Sequence, residues 1–163
     1  MNARALTILA LAMTALLAAG CGFHLRGRVE LAPQMQTPYL DVPDRYSPLY
    51  AELKAALETA GARLAPSRAA ASAVVHVHVD ESGRNVLSVS ARNTPQEYEV
   101  FYTIEYSVTA DGREMLPRQS RTVMREYAYD DRAVLAKQNE ERRLRQALAR
   151  ELASIVTRRL ASL

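Results

Sequence analysis

Few side chains of this 163-residue chain are placed to do chemistry: one thiol, three imidazoles and a scatter of carboxylates and cations. The thiol is the most telling. Cys21 follows an uncharged, apolar stretch from Ala5 to Ala19, with Arg4 before it and Ala18, Ala19 and Gly20 directly ahead of it. A positive start, an apolar core of this length and small residues at the end describe a secretory signal. The small residues end at a cysteine, which fits a bacterial lipobox, although its leucine, Leu17, stands four residues before the thiol rather than three. The expected chemistry is acylation of Cys21, which then becomes the first residue of the mature chain. Several acyl chains on one residue give stable anchoring, since each buried methylene contributes about 0.8 kcal/mol. The apolar run is shorter than the ~20 residues a transmembrane helix needs. Gly22, where an aspartate would favour retention in the inner membrane, points by the sorting pattern of Gram-negative lipoproteins to the outer membrane.

The remaining candidates are weaker. His76 and His78 lie on one side of an expected strand and could begin a zinc site, but a third ligand is needed. Only His24, beside the anchor, is left to supply it. Two solvent-facing strand residues are the simpler reading. Glu97 and Glu99 belong to the polar face of a strand, and Tyr98, Tyr102 and Tyr106 to its core face. No glycine-rich phosphate loop and no nucleophile elbow occurs. The sequence therefore reads as a non-enzyme with no cofactor and no metal site. Arg92, at a strand end, and Lys137, in the first turns of a helix, are cations at element ends. Such cations can reach phosphates, Arg bidentately, and by composition alone both also read as solvated surface charges.

Periodicity supplies the elements that position these groups. Pro38 to Val42 reads as a short strand. Ser47-Pro48 opens a helix with an N-cap serine and a proline at the first position. Leu49, Leu53, Leu57 and Ala60 form its stripe, and Gly61 stops it. From Ala73 the period is two, through Val75, Val77 and Val79. A turn is expected near Ser82-Gly83, then a second alternating segment from Val86 to Ala91, then a break at Asn93-Thr94-Pro95. Tyr98, Val100, Tyr102, Ile104, Tyr106 and Val108 mark the clearest strand. Asp111-Gly112 is a hairpin turn, with a return strand from Arg118 to Tyr127. Pro117 suggests an edge or a bulge there. A long helix runs from about Asp131 to Ala161, with Leu144, Leu148, Leu152 and Ile155 as its stripe. Glu140, Glu141, Arg142, Arg143, Arg145 and Arg150 are expected on its charged faces.

Two amphipathic helices and about four antiparallel strands bury their apolar faces most simply as two layers. The expected fold is α+β: a two-layer sandwich, two helices packed on one face of a mostly antiparallel four-stranded sheet. The chain divides into a signal peptide over 1–20, a lipidated tether over 21–36 and a single domain over 37–163. No thiol remains for a disulfide once Cys21 is acylated. Removing the signal takes away only Arg4 among charged residues, so the net charge falls from +3 to +2. That is too little to argue for nucleic acid and is compatible with an anionic lipid.

Cys21-Gly22-Phe23-His24-Leu25-Arg26-Gly27 resembles the mature N-terminus of the LptE family of lipopolysaccharide-assembly lipoproteins. The likeness continues in order through Ser47-Pro48-Leu49, Arg92-Asn93, Glu97-Tyr98 and Leu135-Ala136-Lys137-Gln138-Asn139-Glu140, across essentially the whole mature chain. The resemblance implies two helices on a four-stranded sheet, as periodicity does. It also implies what periodicity cannot. The protein would be a one-to-one plug in the lumen of the outer-membrane β-barrel LptD, would help that barrel assemble, and would bind lipopolysaccharide on its way to the outer leaflet. By the same resemblance, Arg92 and Lys137 match the basic residues implicated in lipopolysaccharide binding. The implied location is the cell outer membrane, lipid-anchored, on the periplasmic side and in the barrel lumen. Two other functions fit the residues: a lipoprotein adaptor or pilot for a different outer-membrane complex, and a periplasmic enzyme or metal carrier using His76 and His78.

Overall fold

The computed structural model describes residues 30–163. Cys21, His24 and the signal lie outside the described residues. Four strands form one sheet in the order β1 (Pro38–Asp41), β2 (Ala73–Val89), β3 (Pro95–Ala110), β4 (Arg113–Ala128). Two helices, α1 (Pro48–Thr59) and α2 (Val134–Ala161), pack on each other, and α2 lies on β3 and β4. The fold is the expected α+β sandwich. No described helix is long and apolar enough to cross a membrane.

One strand departs from the antiparallel expectation. β1 runs parallel to β2, with Leu40 opposite Val75. The chain leaves β1 through α1 before returning as β2, and such a helical crossover is what a parallel pair requires. The Ser47 hydroxyl accepts from the Tyr50 N–H at 3.1 Å and caps α1, Pro48 occupies the first turn, and Gly61, at φ +98°, ends it. Leu49, Leu53 and Leu57 are fully buried, whereas Ala60, the last of the expected stripe, is only half-buried.

β2 is a single strand, not two segments joined by a turn at Ser82-Gly83. Both residues pair with β3, Ser82 opposite Tyr102 and Gly83 opposite Phe101. The alternation that suggested a break has another cause. The register shifts between Val77 and Val79, making His78 a bulge residue. Before it, Ala73, Val75 and Val77 face the helices; after it, Asp80, Ser82, Arg84 and Val86 stand opposite the core residues of β3. An inserted residue reverses the faces of everything downstream. The Phe101 ring covers Gly83: a Cβ there would lie 2.6 Å from the tip of that ring, which would have to move aside.

β3 and β4 join through Asp111 (φ +51°) and Gly112 (φ +70°), both left-handed as a two-residue hairpin turn demands. β4 is an edge strand, and its register shifts around Pro117, between the Tyr106–Gln119 and Val108–Leu116 pairs. Pro117 thus marks both an edge and a bulge.

The long helix starts with a 3-10 turn, Asp131–Ala133, in which Asp130 caps the Arg132 N–H at 2.9 Å; the α-helical part begins at Val134. Its buried stripe is Leu148, Leu152, Val156 and Leu160, with Ala149, Ala153 and Thr157 alongside. Leu144 and Ile155 are only half-buried, so the stripe lies slightly rotated from the expected one. The core between the layers is closed by Met35, Val100, Tyr102, Ile104 and Tyr106. The Tyr102 hydroxyl donates to Asp80 at 2.8 Å, and burial pushes its pKa up.

Candidate functional site

The end of the sandwich where β2 turns into β3 gathers the cations singled out by the sequence. Ser90 builds the turn. Its N–H donates to the Thr94 carbonyl at 2.8 Å, its carbonyl accepts from the Asn93 N–H at 2.9 Å, and its hydroxyl accepts from the Arg92 and Thr94 N–H groups at 3.2 and 3.3 Å. Asn93 takes the left-handed conformation at φ +59°, which asparagine tolerates better than most residues. The turn carries the exposed Arg92, whose side chain has no ion-pair partner among the described residues.

Lys137 is placed differently. It lies in the first turn of α2 with its side chain only 20% exposed, its Nζ 2.9 Å from Glu140 and 6.0 Å from the centre of the Tyr127 ring. Tyr127 is opposite Tyr98 across β3 and β4, and Tyr98 lies three residues beyond Pro95, where the Arg92 turn closes into β3. The strand end and the helix start therefore share one end of the molecule.

Between them is an aromatic and ionic cluster that the sequence reading did not single out. Tyr98 and Tyr127 stack at 5.7 Å, and Tyr129 meets Tyr98 edge-on at 5.2 Å. The Arg84 guanidinium lies 4.7 Å from the centre of the Tyr98 ring and donates to Glu141 at 2.8 Å. Glu141, expected on a charged face, is instead buried, 8% exposed, and also accepts from Arg145 and, at 3.2 Å, from the Tyr127 hydroxyl. Its burial follows from helix phase: Glu141 precedes buried Leu148 by seven residues, two helical turns, and so shares its face. Burial pushes the Tyr127 phenol up, while the Arg84 guanidinium, close to Tyr127 and Glu141, is held above its ordinary value. Val86, Leu87, Val89, Val134 and Leu135 add exposed apolar side chains on β2 and at the start of α2.

His76 and His78 are engaged elsewhere. His76 contacts Asp41 at 3.1 Å through Nδ1 and Thr109 at 3.0 Å through Nε2, and His78 Nε2 is 2.8 Å from the Ser107 hydroxyl. Their rings stack 6.2 Å apart. Among the described residues no three potential metal ligands converge. Glu97 and Glu99 lie on the outer sheet face, bound to Ser88 and Asn85, while Tyr98, Tyr102 and Tyr106 are buried in the core.

Cations and exposed apolar side chains thus meet at one end of the two-layer sandwich. The model of the LptE family, described as lipopolysaccharide-assembly, matches residues 35–160. The chain belongs to the LptE family, whose members are assembly lipoproteins rather than enzymes. An LPS-assembly lipoprotein LptE of Pectobacterium atrosepticum is 30% identical over 95% of this chain and 84% of its own length. One from Yersinia enterocolitica is 26% identical over 94% of this chain and 74% of its own. Among solved structures, a rare lipoprotein B from Shewanella oneidensis has a TM-score of 0.67 at 25% identity, covering 77% of this chain and 94% of that one. A lipoprotein B from Nitrosomonas europaea shares the fold, with a TM-score of 0.71 at 21% identity over 86% of this chain and 91% of that one.

Proposed function

We propose that this protein is an outer-membrane lipoprotein, anchored through acylated Cys21, that plugs the LptD β-barrel, helps it assemble, and binds lipopolysaccharide in transit to the outer leaflet. The observation that carries the reading is the family match over residues 35–160, together with relatives named for lipopolysaccharide assembly. The site geometry supports it. Arg92 offers a planar fork to a phosphate. Lys137 offers a point charge steadied by Glu140 and Tyr127. An anionic amphiphile matches cations bordered by exposed apolar side chains, and its phosphates compete with Glu140 for Lys137. An outer sheet face that is mostly polar apart from Phe101 and Met124 suits the wet lumen of a barrel. The lipid anchor makes docking nearly intramolecular and raises the effective concentration.

Binding of purified lipopolysaccharide to the protein and to Arg92→Ala, Lys137→Ala and double variants tests the site. Each single variant should weaken binding several-fold and the double variant more, at unchanged melting temperature for Arg92→Ala. Binding by the intact protein should fall as salt is raised. Equal binding by the double variant and the parent would remove Arg92 and Lys137 from the site.

A further inference from the structure

The two sides of the sheet end differently. β1 pairs only with Ala73–His76 of β2. Beyond the bulge at His78, Val79–Val86 keeps an unbroken register with β3, from the Val79–Glu105 pair to the Val86–Tyr98 pair. Among the described residues no strand lies along its other edge, and its main chain bonds only to β3. β4, the opposite border, is closed by its own side chains. Arg121 donates to the Ser120 carbonyl at 2.7 Å and Arg125 to the Met124 carbonyl at 3.0 Å, while Gln119 reaches the carbonyls of Pro117 and Arg118. Covered and proline-bearing edges resist strand pairing, and bare ones invite it.

The outer side of the bare edge has a definite chemistry. Glu81, Gly83 and Asn85 face outward there, opposite Thr103, Phe101 and Glu99. Gly83 has no side chain, and the Phe101 ring lies over it, so an aromatic surface reaches the edge. Glu81 is exposed, and Glu99 takes only a 3.4 Å contact from Asn85; neither has an ion-pair partner among the described residues. The inner side is already satisfied: Asp80 accepts from Tyr102, and Arg84 donates to Glu141. We propose that Val79–Val86 is a docking edge for an extended segment of a partner polypeptide, with an apolar residue opposite Gly83 and basic residues two places to either side. The apolar side chain seats on Phe101 and extends the Phe101–Met124 row across the sheet. One basic side chain meets Glu81, and the other reaches past Asn85 to Glu99. Main-chain hydrogen bonds supply affinity in such strand addition, and the alternate side chains supply register. A second copy of β2 does not fit, because Arg84 is the sole cation of Val79–Val89 and is held on the inner side by Glu141. The edge is separate from Arg92 and Lys137, and the inference does not rest on their role.

The test is an amide NMR titration of the processed chain from residue 21, with Cys21→Ser to keep it free of lipid. The probe is the peptide Thr-Lys-Thr-Val-Thr-Lys-Thr, which reads the same in either direction, and its counterpart has glutamates in place of the lysines. The lysine peptide should shift the amides of Val79–Val86 saturably and bind more weakly as salt is raised. It should bind several-fold more tightly than the glutamate peptide. Glu81→Lys, an exposed change expected to leave the melting temperature unchanged, should weaken the lysine peptide several-fold and strengthen the glutamate peptide. Shifts centred on Arg121–Glu126 of β4, equal binding of the two peptides, or no saturable shift at millimolar peptide would overturn the proposal. So would shifts of the same amides on dilution of the protein alone, which would assign the edge to a second copy.

Discussion

A carboxylate as buried as that of Glu141 must be matched by donors, and it has three: Arg84, Arg145 and the Tyr127 hydroxyl. Because the two arginines are 44% and 39% exposed, they can rehydrate when the carboxylate is removed. Glu141→Ala should therefore cost about 2 kcal/mol, the range for hydrogen bonds to charged groups, rather than the ~3–5 kcal/mol of a fully buried pair. Urea unfolding measures the loss, and Glu141→Gln, which keeps an acceptor, should cost less. His78 makes a second residue-scale prediction. Partial burial, then the charges of Arg118 and His76, holds its pKa below the ordinary 6.5. The folded state thus binds fewer protons than the unfolded one. The stability it contributes is complete above pH 6.5 and drains away as pH falls through its lower folded value. The drop in melting temperature between pH 7 and pH 5 should be smaller in His78→Gln than in the parent; an equal drop would contradict the sign. Not all of this was hidden in the sequence. Glu141 reads as part of a solvated charge run with its neighbours Glu140, Arg142 and Arg143, yet its seven-residue offset from Leu148 carries the signal of burial. Arg84 had no such signal, because its face depends on a bulge six residues earlier.

Elements were legible where one period ran unbroken. The serine cap, Pro48 and the leucines at four-residue spacing defined α1, and alternation from Tyr98 to Val108 defined β3 with its core face. Asp111-Gly112 announced the hairpin, and Pro117 the edge and bulge of β4. β2 was obscured because its faces exchange at His78, leaving Asp80, Ser82 and Arg84 on the side that Val75 and Val77 had occupied. The parallel sense of β1 was unreadable from its four residues, since it is imposed by the crossover through α1. The hairpin makes the element-scale prediction. At φ +70° a β-branched side chain meets its own backbone, so Gly112→Val should lower stability by about 1–2 kcal/mol. A thermal melt checks it. Gly112→Asn, which tolerates the conformation, should lose less.

At the scale of the whole molecule, the sandwich separates its surfaces. The outer sheet face is mostly polar, interrupted by the Phe101–Met124 pair, the helical face carries a groove, and the β2–β3 end carries Arg92, Lys137 and exposed apolar side chains. Periodicity led to this architecture but to no partner. The proposed partner was suggested by short ordered motifs spread along the chain, and the family match over residues 35–160 bears out the membership they implied. In the proposed role, the anchor at Cys21 and the barrel lumen hold the domain where its cationic end meets lipopolysaccharide. The most direct test is affinity purification of the lipidated protein from detergent-solubilised outer membranes, with the eluate examined for a large β-barrel and for lipopolysaccharide. The plug account predicts a barrel partner in one-to-one proportion, retained by the Arg92→Ala/Lys137→Ala variant, with lipopolysaccharide reduced in that variant. A lipidated protein that elutes with no barrel would contradict it.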